Sequence, residues 1–365
     1  MPIVLIVLGL VLLVVGGELV VRGASRLAEW ARVPPVVVGL TIVAFGTSSP
    51  ELAVAIGAAL RGEPDFVTGN IIGSNIYNVL LVLGLSAVIV PLVVQRKLVQ
   101  WDVPAMIAAS VGLLLFAADG SLTRVEGIIL MLALAGYLGA TVFWSRRQGS
   151  DADEFDVEYH ARSLSGRALL VNAGLLVVGL ALLVIGADRL VTGAVEIAES
   201  LGVDRLVIGL TVVALGTSMP ELATSVIAAI RGEREIAVGN IVGSNIMNIL
   251  AIAGFTMVVA PDGIPVADAI LRLDLPVMVA VAVACLPIFF RGHRIERWEG
   301  AVFIGYALAY TAYLVLDATG HRAIGPFSAV MLFFVIPLTV ITFVVVTVRE
   351  LRRGSGPQGR DAPAA

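Results

Sequence analysis

The sequence predicts an all-α, polytopic membrane protein: two inverted five-helix repeats, ten spans in all, plus one extra C-terminal span. Three observations predict it. The 365 residues are 58% hydrophobic and only 14% charged, against roughly 25% charged residues in a soluble domain. The apolar residues fall into runs long enough for a helix to cross about 30 Å of hydrocarbon. A segment of 46 residues recurs at a constant offset of 170, with 27 identities.

The same composition excludes other classes. A soluble enzyme of this length needs a far larger polar fraction to wet its surface, and a disordered chain is polar throughout. A net charge of -4 with no basic block argues against a nucleic-acid partner. The single cysteine, Cys285, permits neither an intrachain disulfide nor a Cys-based metal site. His160, His293 and His321 lie at or beyond the edges of apolar runs, and no HExxH motif is present. Nothing in the sequence pairs a nucleophile with a base, so the chain reads as a non-enzyme without a cofactor. Its partner is the lipid bilayer, and no protein partner is implied.

The elements follow in order. Residues 3–30 form the first run. No basic leader precedes it and no A-x-A site follows a short apolar core, so it reads as a span and not as a removed signal. Runs at 34–60, 65–91, 103–118 and 123–145 complete a first set of five. The second set is 168–199, 204–230, 235–260, 273–290 and 298–316, and 326–348 is the eleventh. The polar stretch from Gln148 to Ser165, carrying Asp151, Asp153, Glu154, Asp156 and Glu158, reads as a solvated linker. The tail GSGPQGRDAPAA reads as disordered. The expected division is a first repeat at 1–145, a cytoplasmic linker at 146–167 and a second repeat at 168–316. An additional helix at 317–353 and a tail at 354–365 complete it.

The repeated segment reads GLTIVAFGTSSPELA in the first copy and GLTVVALGTSMPELA in the second, continuing as GNIIGSNIYN and GNIVGSNIMN. Most of the identities fall on Gly, Pro, Thr, Ser, Asn and Glu and not on interchangeable aliphatics. Weaker echoes pair Asp102-Val-Pro with Asp274-Leu-Pro, Arg124-Val-Glu-Gly with Arg297-Trp-Glu-Gly, and Glu18 with Asp188. Each copy holds five spans. Five is odd, so the second copy enters the membrane from the opposite side. Secondary transporters use this plan, with the substrate near the midplane between the repeats.

Glu51 and Glu221 lie inside apolar runs, where a carboxylate costs at least a few kcal/mol, so each marks a functional site. Gly46 and Pro50 predict a break in the second span. Ser48 or Ser49 is expected to cap the second half, with Pro50 at its first position. The first half then ends in free carbonyls near Ala44 and Thr47, a negative dipole end suited to cations. Thr47, Ser48 and Glu51 cluster on one side, and Ala214, Thr217, Ser218 and Glu221 repeat the arrangement. Ser74 with Asn78, and Ser244 with Asn248, are spaced four apart and share a helix face. Gly69, Gly73, Gly239 and Gly243 read as close-packing steps. The donors are carboxylate, hydroxyl, amide and main-chain oxygens, which suit Ca2+. Na+ accepts the same donors. Two carboxylates neutralise one Ca2+ or two Na+, which gives a physical basis for competition between the ions.

GTSSPE with GSNIYN, repeated as GTSMPE with GSNIMN, resembles the alpha repeats of the calcium/cation antiporter superfamily, in its prokaryotic sodium/calcium exchanger branch. The resemblance covers residues 1–316. It implies a plasma-membrane antiporter that extrudes Ca2+ in exchange for Na+ by alternating access, with a Ca2+/H+ antiporter as the alternative. It implies a diamond of ion sites from Ala44, Thr47, Ser48, Glu51, Ser74 and Asn78, and from Ala214, Thr217, Ser218, Glu221, Ser244 and Asn248. The alanines and threonines would contribute main-chain oxygens, and the glutamates would serve the central Ca2+. Spans one and six would slide across this core. Several relatives carry Asp at the position of Asn248, among them K+-dependent ones, so the two amides here imply that K+ is not required. Glu18 has Arg22 four residues on and reads as a structural ion pair outside the site.

With the N-terminus outside, eighteen of the 24 basic residues fall on the inner side, which places the C-terminus in the cytoplasm. Pro2→Cys and Gln358→Cys, each in a Cys285→Ser background, test this with an impermeant thiol reagent on whole cells. Labelling at residue 2 alone is expected. Labelling of the tail alone would reverse the orientation, and equal labelling would mean an even number of spans.

Overall fold

The computed structural model describes residues 1–31, 33–148, 166–203, 208, 211, 212, 214–290 and 293–341. The expected linker, except at its ends, and the expected tail lie outside these residues. The first half runs α1 (Pro2–Ala31), α2 (Pro35–Thr47), α3 (Ser49–Arg61), α4 (Pro64–Ile89), α5 (Leu98–Ala117) and α6 (Arg124–Gln148). The second runs α7 (Gly166–Ser200), α8 (Ala214–Thr217), α9 (Met219–Ile230), α10 (Arg234–Val259), α11 (270–290) and α12 (Arg297–Ala318). α13 (Ile324–Ile341) follows. Among the described residues, eight helices are long and apolar enough to cross a membrane, or nine if the bent pair α2 and α3 counts as one.

One boundary differs from expectation. The fourth run begins at Leu98 and not at 103, because a π-helical turn over Leu98–Asp102 joins the helix. Gln100 and Asp102 hid it from an apolar count. Asp102 is buried, and the Tyr137 hydroxyl donates to its carboxylate at 2.9 Å. Tyr310 donates to Asp274 at 2.8 Å in the same way. These two bonds account for the Asp-x-Pro echo between the halves.

Burial is greatest in the middle of the chain's two halves. The apolar stretches of α4 and α10 are 78% and 89% buried, while that of α13 is 0% buried. Large apolar side chains such as Leu8, Leu132 and Phe333 point outward, and Glu51, Asn78, Glu221 and Asn248 point inward. That inversion of a soluble protein's arrangement is what lipid demands.

Glycine sets the closest approaches. Gly9, Gly16 and Gly23 recur every seven residues on α1, two turns apart and so on one face. They meet Gly186, Gly179 and Asn172 of α7, in falling order, so the two helices run antiparallel. A Cβ on Gly16 would stand 2.8 Å from the Gly179 carbonyl oxygen. Gly84 of α4 crosses Gly300 of α12, and Gly254 of α10 crosses Gly127 of α6. The Arg-x-Glu-Gly echo supplies Gly127 and Gly300. Gly239 and Gly243 bring α10 against the backbone of α2, as expected. The residues that Gly69 and Gly73 would meet by the same offset lie outside those described.

Two short ribbons tie the halves together. β1 (Leu92–Val93) pairs antiparallel with β4 (Arg294–Ile295), and β2 (Ser121–Leu122) with β3 (Ile264–Pro265). Each ribbon takes one strand from each half.

The α1–α7 seam makes a stability prediction. Gly16→Val is expected to lower the thermal unfolding midpoint of the detergent-solubilised protein, since overpacking costs about 1–3 kcal/mol. Gly174→Ala on α7, with no atom of another element within 4 Å among the described residues, should leave it unchanged or raise it slightly. Equal midpoints for both variants would mean that the seam is not close-packed.

Candidate functional site

The break between α2 and α3 falls at Ser48, and the axes bend by 43°. Pro50 sits in the first turn of α3, where its missing N–H costs nothing. The second copy breaks at Ser218, with Pro220 in the first turn of α9. Ser48 and Ser218 have nearly the same backbone angles, φ −82° ψ 7° and φ −84° ψ 6°. The repeated sequence therefore builds the same kink twice. Each kink sets a glutamate, Glu51 or Glu221, in the first turn of the following half-helix, where the helix dipole favours negative charge.

Both glutamates are buried, at 1% and 0% exposure. Among the described residues, no Lys or Arg pairs with either. Hydroxyls and amides surround them instead. Ser48 donates to the Glu221 carboxylate at 2.8 Å, which joins the first kink to the second glutamate. This differs from the expected cap: neither serine caps α3 through its side chain, because Ser48 turns to Glu221 and Ser49 donates to the Gly46 carbonyl at 2.7 Å. The Ala44 carbonyl is also not free. It accepts from the Ser48 N–H at 3.1 Å and the Thr47 hydroxyl at 3.3 Å.

Ser74, Asn78, Ser244 and Asn248 are all buried. Asn78 and Asn248 begin π-helical turns, Asn78–Leu83 and Asn248–Ala253. Such turns recur at functional sites. Both oxygens of Glu51, one of Glu221, the Ser218 hydroxyl and the side-chain amides of Asn78 and Asn248 are buried with no hydrogen-bond partner among the described residues. A cluster of unpaired buried oxygens is costly unless something else occupies their lone pairs. Ala214 opens α8 and Thr217 closes it, with Thr217 half-buried. Nothing more of the Ala214 side chain is described.

Two asparagines belong to the surroundings and were missed. Asn70 donates to the main-chain oxygen of Glu51 at 3.0 Å. Asn240, its counterpart at offset 170, reaches the Glu221 oxygen at 3.5 Å and the Ser225 hydroxyl at 3.0 Å, and accepts from Thr47 at 3.2 Å. The signal was present, since both stand in the repeated Gly-Asn-Ile. They stand four residues before Ser74 and Ser244, so the spacing of four that joins the Ser and Asn pairs also puts them on that face. The two copies also differ in exposure. Thr47 and Asn240 are fully buried, and Thr217 and Asn70 are half-buried.

Comparison with known proteins bears on this arrangement. The profile of the sodium/calcium exchanger protein family matches residues 1–143 and 171–316. The chain is 41% identical to CaxA of Alkalimonas amylolytica, over 82% of this chain and 96% of that one. It is 34% identical to the sodium/calcium exchanger MaX1 of Methanosarcina acetivorans, over 86% and 97% of the two chains. Its fold matches the sodium-calcium exchanger NCX_Mj, soaked with 2.5 mM Na+ and 10 mM Sr2+, with a TM-score of 0.72. The identity is 31%, and the match covers 85% of this chain and 97% of that one.

The asparagines differ in what they hold. Asn240→Leu removes the partner of the buried Ser225 hydroxyl and one of the two acceptors of Thr47, at about 1–3 kcal/mol for a buried group left unpaired. Asn70→Leu, at a half-buried position, removes one hydrogen bond to the main-chain oxygen of Glu51. The Asn240 variant is expected to show the larger drop in thermal unfolding midpoint, and equal drops would contradict the network.

Proposed function

This chain belongs to the sodium/calcium exchanger family, and on that premise we propose that it moves Ca2+ out of the cell in exchange for Na+ by alternating access. The observation that carries the reading is the pair of buried carboxylates, Glu51 and Glu221, contributed by opposite halves with no basic partner among the described residues. A double negative charge held in an apolar interior calls for a cation. One Ca2+ or two Na+ restores neutrality, so the two loads exclude each other. In this reading the ion sites are Ala44, Thr47, Ser48, Glu51, Ser74 and Asn78 with Ala214, Thr217, Ser218, Glu221, Ser244 and Asn248. Ca2+ needs about 6–8 oxygens in a flexible shell. The unpartnered carboxylate, hydroxyl and amide oxygens supply that kind of donor.

The same proposal takes eleven spans, two inverted repeats at 1–145 and 168–316, and a cytoplasmic C-terminus. The ribbons support the inversion. β1 and β3 hold matching places after α4 and α10, yet β3 pairs with β2, which one helix separates from β1. Matching loops therefore belong at opposite ends of the protein, as inversion requires. The bend at Ser48 and the α8–α9 break supply the discontinuous helices that such transporters use. Alternating access would carry α1 and α7 across this core.

Purified protein in liposomes tests the reading. Radiocalcium uptake is expected to follow an imposed Na+ gradient and to persist when choline replaces K+ on both sides, because Asn78 and Asn248 add no charge that would retain K+. Collapse without K+, with rescue on its return, would overturn the K+ independence. Uptake driven by a pH gradient in the absence of Na+ would establish Ca2+/H+ exchange instead. Glu51→Gln and Glu221→Gln each keep the shape and lose half the compensating charge. Each is expected to reduce Ca2+ exchange to background while the protein still inserts. Near-normal exchange in either variant would rule out the site.

A further inference from the structure

α1 and α7 make a glycine-seamed pair that faces outward along most of its length, with 28% and 22% of their apolar stretches buried. Polar ties to the rest of the protein are few among the described residues, and they gather at one end. Glu18 of α1 receives both Arg22 of the same helix and Arg231, which follows α9. Ser25 donates to Glu233 at 2.8 Å, two residues beyond Arg231. One end of α1 is thus fastened to the turn between α9 and α10.

The offset of 170 predicts a second fastening. Glu18 corresponds to Asp188 on α7, Arg231 to Arg61, and Glu233 to Glu63. All the charges are present, but the cross-helix pair is not made. Arg61 turns to Glu63 at 2.9 Å, and Asp188 meets its neighbour Arg189 at 3.7 Å with its side chain 64% exposed. A second difference runs the same way. At the end where Glu18 holds Arg231, Thr47 and Asn240 are fully buried. At the matching end, Thr217 and Asn70 are half-buried. Among the described residues, one end is tied through Glu18 and the other lacks the matching pair.

We propose that Glu18–Arg231 and Asp188–Arg61 are the two halves of one alternating ionic latch, in which each pair forms as the other parts. The four residues position the α1–α7 pair and touch no transported ion. When the pair shifts relative to the turns after α3 and α9, Glu18 leaves Arg231, and Asp188 takes Arg61 from Glu63. The halves are not equal. Ser25 corresponds to Val195, which has no hydroxyl, and Arg22 corresponds to Thr192, which has no charge. The end seen tied here therefore holds more contacts, and it is the favoured resting arrangement.

The latch rests on the alternating-access reading, and its test separates the two. Two variants, Glu18→Cys with Arg231→Cys and Arg61→Cys with Asp188→Cys, are made in a Cys285→Ser background and reconstituted at full length. A flexible bis-thiosulfonate is the bridging reagent, because a direct disulfide demands closer backbones than an ion pair does. The first variant is expected to bridge without added ions. The second should bridge only with Na+ and Ca2+ on opposite sides. Each bridge should arrest exchange, and reduction should restore it. Adding Glu18→Gln to the second variant should raise its bridging about threefold to fivefold, the scale of a partly exposed ion pair. A residue that merely stabilises the fold would not shift bridging at the opposite end. If the Arg61/Asp188 variant never bridges while its Cys285→Ser parent exchanges ions, the latch is wrong. A bridge that forms without arresting exchange, or an unchanged yield with Glu18→Gln, is equally fatal. A parent that carries no Ca2+ under a Na+ gradient would sink the exchange reading. The ion-dependent change in bridging would still decide the latch.

Discussion

Everything else in the fold answers to two carboxylates that meet in an apolar interior without a cationic side chain among the described residues. Charge in such a place is tolerated only where the surroundings supply dipoles. The chain supplies them by breaking its own helices. Each kink puts a glutamate in the first turn of a new half-helix, and Ser48 reaches across to Glu221. The π-helical turns that begin at Asn78 and Asn248 add local irregularity to α4 and α10. The apolar stretches of these two helices are 78% and 89% buried, so protein surrounds both of these turns.

Duplication makes this economical in sequence. One pattern, written twice, provides both glutamates, both kinks and both asparagine supports. It also provides the reciprocal contacts that lock the copies together, Gly84 on Gly300 and Gly254 on Gly127, and a matching tyrosine–aspartate bond within each copy, Tyr137 on Asp102 and Tyr310 on Asp274. Where the copies diverge, function has room to be asymmetric. Ser25 has a hydroxyl and Val195 does not, and Thr47 is buried where Thr217 is half-exposed.

The sequence made much of this legible. Length and hydropathy placed nearly every helix within a few residues, because lipid admits few alternatives to a long apolar helix. The repeat pointed to Glu51 and Glu221 because charge inside an apolar run has no cheap structural explanation. Other features were not visible. The start of α5 was hidden by Asp102, whose burial depends on a tyrosine 35 residues away. Ser48 was expected to cap its own helix, since local rules cannot see a carboxylate 173 residues distant. Asn70 and Asn240 share the spacing of four with the Ser and Asn pairs, but their bonds to the main-chain oxygens of Glu51 and Glu221, 19 residues away, are seen only in three dimensions. Glu18 was read through Arg22 because a spacing of four is visible in sequence. Its contact with Arg231 is not.

The exchanged strands bear on how the chain is made. β1 and the groove at Gly84 emerge with the first half, but their partners, β4 and Gly300, lie more than 200 residues downstream. Synthesis therefore inserts a first half whose inner surface stands open, the kink beside Glu51 until Glu221 and Asn240 arrive and the face at β1 and Gly84 until residues 294–300 do. During that interval the nascent chain is a half-built shell with a polar seam facing lipid. Its survival depends on the speed with which the remaining helices follow, or on insertion machinery that shields the seam while they do.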